Sequence, residues 1–532
     1  MNRRKSILFF IFILLVAIFF RFWELSLVPP GLYPDVAING NEAFFSLKNR
    51  DFKVFYPENY GREGLMIWLI ALSFKIFGVS IFSIKVVPAI FGVLTVLGLY
   101  FLVKELFYGD KNLAEKVALF SSFFLAVSFW HTNFSRIGFR VILLPFVLVF
   151  SFYFLFKAFR KKSIFDSILA GIFFGLGFYT YTSFRMAVLI LPFIFALFWV
   201  LLKKEGFQKK FFPLTSCFLL LTFIIALPIA LYFLKNPQDF ISRATPVSIF
   251  TAENPIKEFL RSLILHLGMF NFYGDPNWRH NFAGKPMLFW PVSILFLIGF
   301  FLSTKEIITF IKNKKLQLPA SNFQLLTSNF LLLLWFFVML LPGILTREGL
   351  PHSLRVAGVI PPVFIFSGLG AFWVYQFLEK KLNNKKVLFA LVFFFLLFVT
   401  ISEFHKYFLV WAKKPEVKSE FTQDLVEMGN YLNSLPEDLE KYVIVNRGGI
   451  PVSWANNIPI SAQTIMFLEF SKYGEIKSKY LLPEEIEKIK IEKKGVILLM
   501  AQNQQLADKI STSIPEGRWE KEKGFWVYKI NF

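Results

Sequence analysis

The chain has 532 residues, 55% of them hydrophobic, and a mean hydropathy of +0.55; with several apolar runs near the roughly 20 residues that span hydrocarbon, this excludes an ordinary soluble domain and marks a polytopic membrane protein. The single cysteine, Cys217, excludes an intramolecular disulfide and any cysteine-based metal cage. The formal charge is +22, but residues 1–405 hold 40 of the 58 Lys and Arg and 19 of the 36 Asp and Glu, so the excess follows membrane topology and argues against a nucleic-acid partner.

The basic start Met1-Asn2-Arg3-Arg4-Lys5 leads into an apolar run from Ile7 to Trp23. The run is longer than a signal-peptide core and no small-residue cleavage site follows, so it reads as a retained first helix. Beyond it comes Pro29-Pro30-Gly31-Leu32-Tyr33-Pro34-Asp35, with Glu42 seven residues on. If that stretch is helical, the two acids lie about two turns apart on one face. Asp35 suits a catalytic base or an acceptor-positioning carboxylate, and it equally suits a cap for the helix that follows. Glu42 is the candidate second acid. The turn Asn59-Tyr60-Gly61-Arg62-Glu63-Gly64 precedes an apolar stretch, Leu65 to Gly78, too short to span and read as interfacial or re-entrant. An Arg at such a helix start suits an anion, or merely an exposed ion pair.

Eleven spans are predicted, roughly 7–23, 81–103, 114–130, 141–158, 164–180, 184–202, 211–233, 286–303, 327–345, 356–378 and 387–405. With the N-terminus inside, the inside segments carry 22 basic residues, from Arg3 through Lys161, Lys314 and Lys315 to Lys386. The short outside loops carry only Arg136, Arg140, Arg185, Arg347 and Arg355. That asymmetry is a positive-inside signal. The sides also differ in kind, because 19 of the 22 inside residues are lysine and all five outside ones are arginine. Lysine suffices for orientation, whereas arginine offers a planar fork for phosphate or carboxylate, or a plain interface anchor.

The outside loops concentrate the polar chemistry. Trp130-His131-Thr132-Asn133-Phe134-Ser135-Arg136-Ile137-Gly138-Phe139-Arg140 and Tyr179-Thr180-Tyr181-Thr182-Ser183-Phe184-Arg185 mix aromatic faces with hydroxyls and arginines, as a sugar-phosphate site or a membrane-interface belt would. The long outside loop, about 234–285, centres on Gly274-Asp275-Pro276-Asn277-Trp278-Arg279-His280-Asn281. Asp275 with His280 could hold a divalent cation, but two ligands do not define a metal site and none is assigned. Arg347 to Arg355, containing His352, closes the set. No strong carboxylate is evident within the spans, which weighs against a transporter with midplane charges.

After His405 the charge balances and the pattern changes. Thr422–Leu435 is helical, and Tyr442–Asn446, Gly495–Met500 and Phe525–Ile530 read as strands. Residues 406–532 are therefore expected to be a small extracytoplasmic α/β domain. Residues 1–405 form the transmembrane region, including the first outside loop, 24–80.

Taken in order, Pro30-Gly-Leu-Tyr-Pro-Asp35, Gly61-Arg-Glu-Gly64, Phe134-Ser-Arg-Ile-Gly-Phe-Arg140, Tyr179-Thr-Tyr-Thr182, Gly274-Asp-Pro-Asn-Trp-Arg-His-Asn281 and Pro351-His-Ser-Leu-Arg355 resemble a GT-C superfamily membrane glycosyltransferase. The likeness is to the dolichyl-phosphate-mannose–protein mannosyltransferase-like group (glycosyltransferase family 39-like), related to the aminoarabinose lipid A transferases. It implies a GT-C-like fold and inverting transfer from a polyprenyl-phosphate sugar at the non-cytoplasmic membrane face. The acceptor class is a protein, lipid or glycan. Asp35 matches the group's catalytic acid. The chain departs from the pattern at Val36, where an acid often follows, and at Arg62-Glu63, where Lys-Pro is common.

On this reading Asp35 and Glu42 are catalytic. Arg62, Arg136, Arg140 and Arg355 hold the donor phosphate, and His131, Tyr181, Arg185, Asp275, Arg279, His280 and His352 contact substrate. No cofactor is required by the pattern, and a divalent cation is compatible with it. A lipid-linked oligosaccharide transferase and a non-enzymatic flippase of polyprenyl-linked sugars are the alternatives.

Overall fold

The computed structural model describes residues 3–204, 206–242, 245–313, 320–382, 384–492 and 494–531; Lys314 and Lys315 of the inside set lie outside them. The chain forms two compact units. One comprises residues 1–23 and 88–411, the other residues 24–87 and 412–532. The first outside loop, which the sequence groups with the membrane region, thus packs with the C-terminal residues.

Among the described residues nine helices are long and apolar enough to cross a membrane: Arg4–Phe22, Ile81–Leu106, Arg140–Lys161, Thr182–Lys203, Gln208–Lys235, Trp290–Lys312, Leu325–Ile344, Ala357–Lys381 and Lys385–Lys413. The two other segments read as spans are shorter helices, Lys111–Val127 with 17 residues and Ile164–Gly177 with 14. Local chemistry sets their ends. The Asp110 carboxylate accepts from the backbone of Asn112 and Leu113, and the extended Ser128 stops that helix and caps the next, Phe129–Phe134. The Ser163 hydroxyl opens the second, and the Thr180 hydroxyl donates to the Gly177 carbonyl at its end. Each is a cap that satisfies backbone groups a helix terminus leaves unpaired.

Within this unit, helices Trp290–Asn313 and Ile360–Lys381 approach closely because each offers a glycine to the other. A Cβ on Gly299 would stand 1.8 Å from the Phe366 carbonyl oxygen, and one on Gly370 2.0 Å from that of Leu295. Small residues at such crossings let dispersion contacts hold helices together where no hydrophobic force separates protein from lipid. Phe270, Phe296, Phe336 and Phe366 fill the space beside this crossing, whereas Phe389, Phe393, Phe394 and Phe398 on the last long helix are exposed. The many phenylalanines therefore serve both interhelical packing and an outer apolar face. Acids not anticipated in the spans are buried near helix ends: Asp166, Glu105 and Glu403, of which Glu403, near the end of the last long helix, accepts the Phe129 N–H at 2.8 Å and so meets the positive end of the short helix Phe129–Phe134.

The second unit is built around a five-stranded sheet. Its order is Lys479–Leu481, Glu440–Ile444, Gly495–Leu499, Phe525–Ile530 and Gly517–Glu522. The first three strands are parallel and the last two antiparallel. The strands at 440–444, 495–499 and 525–530 and the helix Gln423–Ser434 lie where the apolar patterns predict them. The two edge strands escape sequence reading because they are short or carry charges at every second position. One face of the sheet packs into a core with Leu425, Met428, Ile465 and Phe470, and that core also takes in Ile38 of the helix Pro34–Asn49. The short apolar stretch is a 13-residue helix, Leu65–Phe77.

Replacing Gly370 by Val should separate the two membrane helices it joins and destabilise the unit by about 1–3 kcal/mol, the usual cost of overpacking. Gly78→Ala, where a Cβ meets nothing within 4 Å but φ is +77°, should show only the smaller backbone effect. Thermal midpoints in one detergent check both.

Candidate functional site

The loop before Asp35 is held from several directions. The Leu32 carbonyl accepts the hydroxyls of Thr464 at 2.8 Å and Thr422 at 3.0 Å. Gly31 sits at φ +79° with the Phe421 carbonyl so near that a Cβ would stand 2.1 Å from it, which only glycine permits. Tyr33 is the N-cap of the following helix, Pro34 occupies its first turn, and no side chain caps it. Asp35 therefore does not serve as the cap. It lies in the first turn, half-buried, and among the described residues its carboxylate makes no hydrogen bond or ion pair.

Farther along the helix the environment closes. Asn41 donates to the Gln463 side chain at 2.8 Å and backbone at 3.1 Å, and Gly40 lies against Phe467 and Ile84. Glu42 and Arg62 form a buried ion pair, Nη2 to Oε2 2.7 Å. Arg62 also donates to Asn39 Oδ1 at 2.8 Å and to the Glu58 carbonyl at 3.3 Å. Burial pushes the Glu42 carboxyl up, and the Arg62 guanidinium pulls it back. Arg62 and Glu63 lie in a two-residue strand opposite Phe55–Tyr56 rather than at the start of the next helix. Both residues expected at the reaction site thus meet each other, and the pair ties the loop to its helix.

The membrane unit holds the remaining candidates. Arg136 is fully buried and donates to the carbonyls of Phe20 (3.0 Å) and Trp23 (2.6 Å) at the end of the first helix, with its guanidinium 5.0 Å from the Phe408 ring. It caps the C-terminal end of that helix. Arg21, overlooked in the sequence as one charge near the end of an apolar run, does the same for helix Lys111–Val127 through the carbonyls of Ala126 and Leu125. It also donates to His131 Nδ1 at 2.7 Å. Burial, with Arg21 alongside, pushes His131 well below the usual histidine range, so it is a neutral acceptor inside the fold. Arg185 donates to the Phe240 carbonyl and stacks on the Phe240 ring at 4.1 Å, which makes it a loop tie.

Arg140 differs, lying 5.3 Å over the Tyr181 ring at the head of a long helix. Arg355 donates to the Glu348 carbonyl at 3.0 Å and stays near the surface. Arg279 is half-buried, its Nε donating to Asn277 Oδ1 at 3.3 Å while its carbonyl accepts from Asn133 at 2.7 Å.

Asp275, His280 and His352 come together as one cluster. His280 Nδ1 lies 3.1 Å and His352 Nδ1 4.0 Å from Asp275 Oδ2. The Ser353 N–H (2.7 Å) and hydroxyl (2.8 Å) donate to the same oxygen, and the Asn277 N–H to Oδ1 at 2.8 Å. Burial opposes ionisation of Asp275, but the neighbouring His280, His352 and the Asn277 N–H bring its pKa down to about 2. Burial, with His280 and Arg355 nearby, pushes His352 well below the ordinary range. The two imidazoles lie with centroids 5.0 Å apart and planes tilted by 37°, and His280 also meets Phe139, next to Arg140.

The crystal structure of ArnT from Cupriavidus metallidurans bound to undecaprenyl phosphate matches with a TM-score of 0.57 and 12% identity, over 99% of this chain and 98% of that one. The archaeal oligosaccharyltransferase AglB from Archaeoglobus fulgidus, in complex with an inhibitory peptide and a dolichol-phosphate, matches with a TM-score of 0.50 and 14% identity, over 98% of this chain and 74% of that one. The family model described as dolichyl-phosphate-mannose-protein mannosyltransferase matches residues 65–232, a stretch that holds His131, Arg136, Arg140, Tyr181 and Arg185 and begins after Asp35. No curated protein matches the chain by sequence. The GT-C resemblance read from the motifs is thereby borne out.

Removing one charge of the buried pair isolates its cost. Glu42→Gln should destabilise the protein by about 3–5 kcal/mol, because Arg62 is left buried without its counter-ion. The double change Glu42→Leu with Arg62→Met should recover most of that loss. Denaturation midpoints of the three proteins decide it, and a Glu42→Gln protein as stable as the parent would return Arg62 to the pool of free cations.

Proposed function

We propose that this protein is an inverting glycosyltransferase that moves a sugar from a polyprenyl-phosphate donor to a protein, lipid or glycan acceptor at the non-cytoplasmic face of the cell membrane. The observation that carries the reading is Asp35: a half-buried carboxylate in a helix first turn, on a loop fixed by Gly31 and Leu32, with no partner among the described residues. A carboxylate so placed accepts the proton of an acceptor hydroxyl or amine. The acceptor atom then bonds to the anomeric carbon as the bond from that carbon to the phosphate oxygen breaks. The lipid phosphate leaves with the electron pair and needs no general acid.

Charge building on that phosphate calls for arginine forks. The reading assigns the donor phosphate to Arg140, at the head of its helix, and Arg355, near the surface of its loop. Arg279 and Tyr181 are assigned to the substrate. The near-equal lengths of this chain and its ArnT counterpart favour a monosaccharide donor over the oligosaccharide alternative, and assay with both kinds of carrier separates them. A flippase would release no polyprenyl phosphate in that assay.

Purified Asp35→Asn should lose transfer by about 10²-fold or more while binding a polyprenyl-phosphate analogue like the parent. Arg140→Lys and Arg355→Lys should instead weaken that binding by on the order of tenfold, the loss of one charge-assisted hydrogen bond. Near-normal turnover in Asp35→Asn would remove the proposed base, and unchanged titrations in both lysine variants would move the phosphate elsewhere.

The basic asymmetry supports a cytoplasmic N-terminus and an extracytoplasmic C-terminal region. In a Cys217→Ala background, cysteines at the exposed positions Lys161 and Lys523 should react with an impermeant thiol reagent from opposite sides of sealed vesicles. Labelling of both from one side would overturn the orientation.

A further inference from the structure

We propose that a cleft at the carboxyl ends of the parallel strands Glu440–Ile444 and Gly495–Leu499 is a saccharide-binding site, separate from the Asp35 loop. The two strands are neighbours in the sheet, and the chain leaves them toward opposite faces. After Ile444 it returns through helix Gln463–Tyr473, whose Ile465 and Phe470 pack with Val443 and Leu498. After Leu499 it enters helix Gln504–Ser513, whose Ile510 packs on the other face with Ile444 and Ile497. Connections that part in this way leave a crevice beyond the strand ends, the place where open α/β sheets take ligands. Here the crevice has a volume of about 520 Å³, within the roughly 300–1,000 Å³ of small-molecule sites.

The walls are held before any ligand arrives. Arg447 donates from Nε to the Met500 carbonyl at 2.8 Å and pairs with Asp424, and Asn446 exchanges two hydrogen bonds with the Ala501 backbone, at 2.7 and 2.8 Å. The chemistry inside suits a sugar. Trp519 is already engaged, its Nε1 donating to Ser511 at 2.9 Å and its ring meeting Tyr528. Trp526 also lines the cleft, is 39% exposed, and has no ring contact or hydrogen bond among the described residues. Its open face can take the C–H side of a sugar ring. The sugar hydroxyls then need donors and acceptors at the edge, which the exposed Gln502 amide and the Glu427 carboxylate supply. Asp424 and Glu427 balance Arg447 and Lys523 around the lining, which favours a neutral polyol over a phosphorylated ligand. The cleft shares helix Gln423–Ser434 with the Asp35 loop, because Thr422 at its head donates to the Leu32 carbonyl while Asp424 and Glu427 face the cleft. A saccharide-bearing acceptor held there is tied to the unit that carries Asp35. That role rests on the transferase reading, and the binding itself does not.

The full chain, in phospholipid nanodiscs free of glycolipid and of maltoside detergent, is titrated with mannotriose, maltotriose and chitotriose and followed by saturation-transfer NMR and tryptophan fluorescence. At least one trisaccharide should bind saturably. Trp526→Ala should weaken that binding by on the order of tenfold, the loss of an aromatic anchor, and Gln502→Ala by about threefold, the loss of one neutral hydrogen bond. Lys509→Ala, exposed on helix Gln504–Ser513 but outside the cleft, should bind like the parent, as should Asp35→Asn. A parent that binds none of the three overturns the proposal and leaves the transferase reading to the turnover of Asp35→Asn. Binding of inorganic phosphate in their place makes the cleft an anion site and overturns it equally. Binding that persists undiminished in folded Trp526→Ala, or is lost in Asp35→Asn, puts the saccharide elsewhere and overturns it as well.

Discussion

The seating of helix Pro34–Asn49 on the C-terminal residues is the constraint from which the rest of its unit follows. A polar group taken out of water seeks a partner, and several here find one. The Leu32 carbonyl takes two threonine hydroxyls, Asn41 takes Gln463, and Arg62 takes Glu42 and Asn39. Two glycines permit the approach, Gly31 beneath the Phe421 carbonyl and Gly40 beneath Phe467. Against that closed network the unpartnered carboxylate of Asp35 stands out. Residues far apart in the chain thus hold one acid in place, which gives the C-terminal region a definite structural task.

In the membrane unit the same rule governs the arginines. Backbone carbonyls at a helix end cannot be left bare in a dry environment. Arg136 serves the end of the first helix, and Arg21, carried by that helix, serves the end of Lys111–Val127. The exchange fastens the two helices through their termini. It also explains why arginine is required at these points, since its fork reaches two acceptors at once where a lysine reaches as a point charge.

Sequence by itself determined the membrane class, the positions of the long apolar helices, the central strands of the C-terminal sheet and the GT-C resemblance. These rest on composition and on periodicities of local origin, which survive in a linear reading. It also singled out Asp35, Asp275, His280 and His352 as candidate site residues. What it left open was which of them meet. Only tertiary structure decided that Glu42 and Arg62 neutralise each other, that Arg136 caps a helix, that His352 joins Asp275, and that Asp35 is not a cap. The reason is physical: a charged side chain declares its type in the sequence, but its role depends on the partner that burial brings to it, and those partners lie tens to hundreds of residues away.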